Sequence, residues 1–222
     1  MANEKPPSQE HPGKEEPGQE GDLPQQLVIP ERFAQVVKGV YRSSFPEAVH
    51  LTVLEIVGVK TILRFVEEQY CQAVQQFCAM NNIRCVSIPV VPNKEGTVKT
   101  PDETVNTIMD ALMDKRNHPI LVHCNQGKHR TGCMIACFRK LQGWGRHTVI
   151  NEYRSFAWKK ARPLDEAFFA AYSPSRSIRE KAKRLNIAAW VTVPDRLTNS
   201  KASNERPKLS RNEPKPLLRK TA

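Results

Sequence analysis

Ile120-Leu121-Val122-His123-Cys124-Asn125-Gln126-Gly127-Lys128-His129-Arg130-Thr131-Gly132 reads as the end of a strand, a tight polar loop and the start of a helix. The apolar residues 120–122 lead in, and a helix-like run from Thr131 to Leu141 leads out. That order builds an anion cradle. Backbone N–H groups of the loop and of the first helical turn converge on one spot, where the helix dipole adds positive potential. Cys124 stands there, six residues before Arg130. The donors that hold a phosphate also stabilise a thiolate, and a guanidinium is a permanently charged fork that binds two phosphate oxygens at once. The stretch therefore implies a cysteine nucleophile at a phosphate site. Two other readings compete: a structural cysteine at a strand end beside solvated basic residues, and a loop that binds phosphate without turning it over.

Each loop position has a physical task. Asn125, Gln126, Gly127, Lys128, His129 and Arg130 form the expected phosphate-binding set. Gly127 permits a turn that a side chain would hinder. Lys128 and His129 add cationic or hydrogen-bonding capacity at the rim, more than one isolated monophosphate needs. Thr131 can place a hydroxyl near Cys124 and steady it as a leaving thiolate. His123 either orients the loop through its ring nitrogens or is simply a satisfied buried histidine.

The string His-Cys-x-x-Gly-Lys-His-Arg-Thr-Gly-Cys (123–133) resembles the plant and fungal atypical dual-specificity phosphatases, the Siw-type branch of the protein tyrosine phosphatase superfamily; a fungal member is expected. Gly39-Val40-Tyr41-Arg42-Ser43-Ser44-Phe45-Pro46 is similar to that family's opening segment, and Asn93-Lys94-Glu95 to a further loop of it. Arg139-Lys140-Leu141-Gln142, Trp144, Glu152-Tyr153 and Lys160-Ala161-Arg162 are similar to its helical tail, so the resemblance covers about residues 28–172. It departs where Pro92 replaces a glycine and Gly96 a proline, which puts the path of that loop in question. The resemblance implies removal of the β-phosphate from the 5-diphosphate group of inositol pyrophosphates, with protein phosphotyrosine as the alternative substrate. It also implies a carboxylic general acid near Asp102, with Glu95 and Glu103 as the other candidates in the same loop. Asp102 has an equal claim to capping the helix after Pro101. A phosphate leaving group is weakly basic and gains little from protonation, so an uncertain acid favours a pyrophosphate over an ester. Lys94, Lys159, Lys160 and Arg162 extend the basic rim in this reading, or are solvated charges.

Strands are expected at 37–41, 60–65, 84–88 and 120–123, and helices at 47–57, 68–80, 102–113, 131–141, 148–156 and 164–171. This alternation predicts an α/β fold of the tyrosine-phosphatase type, with a mostly parallel sheet covered on both faces and the nucleophile at a strand's carboxyl end. The 222 residues carry a net charge of +11, unevenly spread. Residues 1–26 hold six acidic residues, two lysines and five prolines and are expected to be a disordered tail. Residues 27–172 are the expected phosphatase domain. Residues 173–222, with thirteen lysines and arginines against four acids, are expected to be a mostly disordered extension with a short helix at 177–189 that docks on the domain. The basic tail is read as inert or localising ahead of a substrate-attracting role. No apolar run approaches the ~20 residues of a membrane helix, and nothing resembles an aromatic nucleic-acid platform or a signal peptide. A cytoplasmic protein is expected, with the basic tail a route to the nucleus. The expected partner is a small polyanion or a phosphoprotein, without membrane or specific nucleic acid. No cofactor and no metal are expected, and the six cysteines are read as free thiols. Cys133 and Cys137 lie on one helical face, as core residues or, for a minority reading, as a backup thiol for oxidised Cys124.

Overall fold

Residues 27–94 and 100–193 are described by the computed structural model. The expected acidic tail at 1–26, Glu95 and Gly96, and the basic stretch from 194 onward lie outside the described residues. Strands β1 (Ala34–Val37) and β2 (Val40–Ser43) form a hairpin. The single strand expected over 37–41 is therefore two strands, with that window centred on their turn. Gly39 makes the turn at φ +83°, and a Cβ there would press against the His118 ring at 3.0 Å. The valines on both sides disguised a reversal that only the glycine marks.

Strands β3 (Thr61–Arg64), β4 (Arg84–Ser87) and β5 (Ile120–His123) complete one sheet in the order β1-β2-β5-β3-β4. Only the β1–β2 pair is antiparallel. Central β5 is wholly buried, as its unbroken apolar run requires of a strand covered on both faces. Register sets Ser43, His123 and Arg64 level with one another, so Cys124 emerges between the carboxyl ends of β2 and β3.

Helices α1 (Leu51–Val57) and α2 (Gln72–Met80) cover the face of Leu121. The opposite face, with Ile120 and Val122, packs under α3 (Asp102–Met113), α4 (His129–Leu141), α5 (Arg146–Ala157) and α6 (Pro163–Ala171). Alternate residues of one strand thus feed two cores. Helix α1 is preceded by a 3-10 turn, Ala48–His50, within the expected 47–57 segment. Helix α2 begins at Gln72 rather than at Glu68, because Tyr70 turns inward to a buried position beneath His123. Helix α4 begins at His129, two residues before the expected start, which puts Arg130 in its first turn.

Beyond residue 172, helix α7 (Arg176–Arg184) is capped by Ser175, whose Oγ accepts the Ile178 N–H at 3.3 Å. Its Ile178 and Ala182, and Ile187 of the following 3-10 turn, belong to the core under α3 and α4. The chain then runs beside the hairpin: Lys38 N–H donates to the Val191 carbonyl at 3.0 Å and Thr192 Oγ1 to the Val36 carbonyl at 2.8 Å. The folded body so described continues to Val193.

Candidate active site

The 124–130 loop is held from outside by its carbonyl groups. Phe45 N–H donates to the Asn125 carbonyl at 3.0 Å, Arg32 Nη1 to the Gln126 carbonyl at 3.0 Å and Arg42 Nη2 to the Gly127 carbonyl at 2.8 Å. A trans peptide points its N–H opposite to its C=O. Pulling three successive carbonyls outward therefore turns the N–H groups of Gln126, Gly127 and Lys128 into the loop's concave side, an anion nest. Gly127 sits at φ +66°, and a Cβ there would lie 2.6 Å from the Ser43 carbonyl oxygen. No other residue fits that position.

Arg42 anchors this arrangement and is almost completely buried. Its guanidinium lies 3.7 Å from the centre of the Phe156 ring. Burial lowers its pKa to about 10, against the raising effect of Glu152 and Cys124, so it stays a cation at neutral pH. The family-like opening segment contains Arg42, but a strand residue gave no reason to assign it to the loop.

Behind the nucleophile position, His123 is fully buried. Its Nδ1 lies 3.3 Å from the Cys124 carbonyl and its Nε2 2.5 Å from Tyr70 Oη. Burial pulls this histidine down to about 4 and pushes the Tyr70 hydroxyl well above its ordinary value. A neutral ring then donates from Nδ1 and accepts the Tyr70 proton at Nε2. Phe45 meets the imidazole edge-on at 5.2 Å. Both readings of His123 hold together: it is a satisfied core histidine, and its satisfaction fixes the first carbonyl of the loop.

Cys124 lies at the floor of a cavity of about 370 Å³ lined also by Pro92, Lys94, Asn125, Gln126, His129, Arg130, Lys160 and Arg162. Five of these side chains are basic and none is acidic. Arg130 is steadied by the Phe65 carbonyl at 3.5 Å, and Asn125 by Glu68 at 2.8 Å, a bond that holds the Glu68 carboxyl below its ordinary value. Lys128 is not part of the lining; slight burial, then neighbouring Arg32 and Lys160, lower its pKa. Thr131 is fully buried, and its hydroxyl has no hydrogen-bond partner among the described residues.

Asp102 is not brought to the cavity. It is the first residue of α3, and its Oδ2 accepts the Ser173 N–H at 3.4 Å. Cys133 and Cys137 are core residues whose thiols burial pushes far up. Among the described residues no group of His, Cys, Asp and Glu could hold a metal ion, and no helix is long and apolar enough to cross a membrane.

One acid does reach the site, from behind. Asp165, in the first turn of α6 and 1% exposed, accepts from His129 Nδ1 at 2.9 Å, Tyr153 Oη at 2.6 Å and Asn93 Nδ2 at 3.0 Å. Burial works to raise its pKa, but these three bonds outweigh it and hold the carboxyl below its ordinary value. In sequence, an acid two residues after Pro163 reads as a helix-dipole partner, so nothing linked it to a loop 36 residues earlier.

A family model described as the tyrosine phosphatase family matches residues 27–190. The chain belongs to that family. It is 38% identical over 159 residues to the inositol diphosphatase SIW14 of Saccharomyces cerevisiae, an alignment covering 71% of this chain and 57% of the yeast protein. It is also 38% identical over 149 residues to the inositol diphosphatase DSP4 of Arabidopsis thaliana, covering 67% of this chain and 75% of that one. The crystal structure of the catalytic core of S. cerevisiae SIW14 with citrate superposes with a TM-score of 0.66 at 36% identity, over 74% of this chain and 99% of that one. The tyrosine-phosphatase-like α/β architecture expected from the sequence is therefore the fold of this chain.

Proposed function

We propose that this protein is a cysteine-dependent phosphatase that removes the β-phosphate of an inositol pyrophosphate through a phosphocysteine intermediate. The observation that carries the reading is the cavity itself: Cys124 lies at the floor of a nest of inward N–H groups, under a wall of five basic side chains with no carboxylate among the described lining residues. The names of the yeast and plant relatives support the same substrate class.

The Cys124 thiolate attacks the terminal phosphorus, the S–P bond forms and the bridging P–O bond breaks, and its electron pair leaves on the inner phosphate. Arg130 and the loop N–H groups bind the three equatorial oxygens as charge develops there, where phosphoryl transfer draws most of its stabilisation. Water then attacks the phosphocysteine, and Thr131, buried in the first turn of α4, is assigned to steady the departing thiolate. His123 keeps the Cys124 carbonyl fixed throughout. Lys94, Lys160 and Arg162 bind the remaining phosphates of a densely charged ring. A phosphate leaving group needs less proton donation than a tyrosyl group, which suits a cavity with no carboxylic acid among its described lining residues.

A side-by-side single-turnover comparison of a diphosphoinositol phosphate with a phosphotyrosyl peptide tests the substrate. Faster cleavage of the diphosphate is expected by about 10²-fold or more, the size of a general-acid contribution. Faster cleavage of the peptide would replace this reading with a protein phosphatase.

A further inference from the structure

The second chemical step needs something the first does not. Water attacking the phosphocysteine must lose a proton whatever group left before, so a base is required even when the leaving group is phosphate. No carboxylate lines the described cavity wall, and Asp102 faces Ser173 instead. Arginine cannot serve as a base. His129 is the one imidazole among the described lining residues, and its side chain is 14% exposed. Its Nδ1 is already committed, at 2.9 Å from Asp165 Oδ2 and 3.3 Å from Tyr153 Oη. Nε2 is therefore the nitrogen left to meet a ligand.

Asp165 is built to keep it so. The carboxylate is 1% exposed, and its other partners, Tyr153 and Asn93, are neutral donors that cannot compensate its charge. Burial pushes the Tyr153 hydroxyl well above its ordinary value, so that group donates and stays neutral. A buried carboxylate favours a cationic partner. This orients the imidazole and fixes its proton on Nδ1, so that Nε2 carries the lone pair that can take a proton.

We propose that His129 is the acid–base residue of this site and that Asp165 is its positioning residue. The inference rests on the cysteine-phosphatase reading above. In the first step the imidazolium gives its Nε2 proton to the oxygen released from phosphorus. In the second step neutral Nε2 takes a proton from the attacking water while the O–P bond forms and the P–S bond breaks, returning the Cys124 thiolate, inorganic phosphate and an imidazolium.

The experiment is rapid-mixing kinetics of the full chain with p-nitrophenyl phosphate, whose good leaving group makes the first step insensitive to an acid. For His129→Ala, the first-turnover burst of nitrophenol should fall less than ~10-fold while steady turnover falls about 10²-fold or more. Free imidazole should restore part of the steady rate without changing the burst. Asp165→Asn, which keeps the ring and removes the charge, should slow the same phase. Equal losses in burst and steady state, or a steady rate that imidazole does not raise, would overturn the assignment. Cys124→Ser separates the layers: it should show no burst, and a burst in that variant would fail the cysteine reading itself, and the proposal with it.

Discussion

The two walls of the 124–130 loop end in the same residue type and use it in opposite ways. On the sheet side, His123 is sealed between Phe45 and Tyr70, and burial forces it to be neutral. On the helix side, His129 lines the cavity and rests on the buried charge of Asp165. The first wall is apolar and neutral because it has to hold a backbone carbonyl at one place. The second is charged because it has to meet a charged ligand. What stands behind the two rings differs, an apolar seal for His123 and a buried carboxylate for His129, although they lie only six positions apart along the chain.

Removing the group that both walls serve should have the largest consequence. Cys124→Ser is expected to lower turnover by more than about 10⁴-fold, the scale seen when a covalent nucleophile is lost, while polyanion binding persists because the loop N–H groups and Arg130 remain. Steady-state rates with equilibrium binding of an inositol polyphosphate check this; turnover above a few per cent of wild type would break it. Next comes the guanidinium that closes the helix side. Arg130→Lys keeps the charge and loses the two-toothed grip, and should cost on the order of 10²–10³-fold in turnover number.

The neutral wall has its own signature in stability. His123 has a folded pKa near 4, below the ordinary 6.5 of the unfolded chain. Between those values the unfolded state binds more protons, so stability rises with pH across that window. The contribution is fully present above pH 6.5 and is lost as pH falls towards 4, by about 3 kcal/mol at one pKa unit per 1.36 kcal/mol. Denaturant titrations of wild type and His123→Gln at a series of pH values read it as a difference in slope over that window. An identical slope in the two proteins would mean that the ring is not neutral in the folded state.

The smallest effect sharpens the comparison from outside both walls. Asp102→Asn should change turnover of an inositol diphosphate by less than about threefold, because a carboxylate bonded to Ser173 N–H is not within proton-transfer reach of the cavity. A large loss there would return the acid role to Asp102.

What the sequence told about this site follows from the range of the interactions involved. The loop from Cys124 to Arg130 was legible because strand, glycine and helix start are local signals, and the parallel sheet was legible in the unbroken apolar residues of β5. The hairpin at Gly39 reads as one strand because its turn is only two residues, Lys38 and Gly39, between valines. Tyr70 looked helical because nothing near it in the chain reveals a partner 53 residues away. Arg42 and Asp165 escaped for the same reason. Each acts on the loop only after the sheet register and the packing of α5 and α6 bring it there, and each bears an ordinary local explanation. Local chemistry is written in the chain; the groups that hold it in place are written in the fold.

The most direct test of the whole account is to find the intermediate. Acid quenching within the first turnover of a diphosphoinositol phosphate, followed by peptide mass spectrometry, should place one phosphoryl group on Cys124 and none on the Cys124→Ser protein. Full turnover without a phosphorylated Cys124 at any quench time, or a phosphoryl group carried by a different residue, would contradict it.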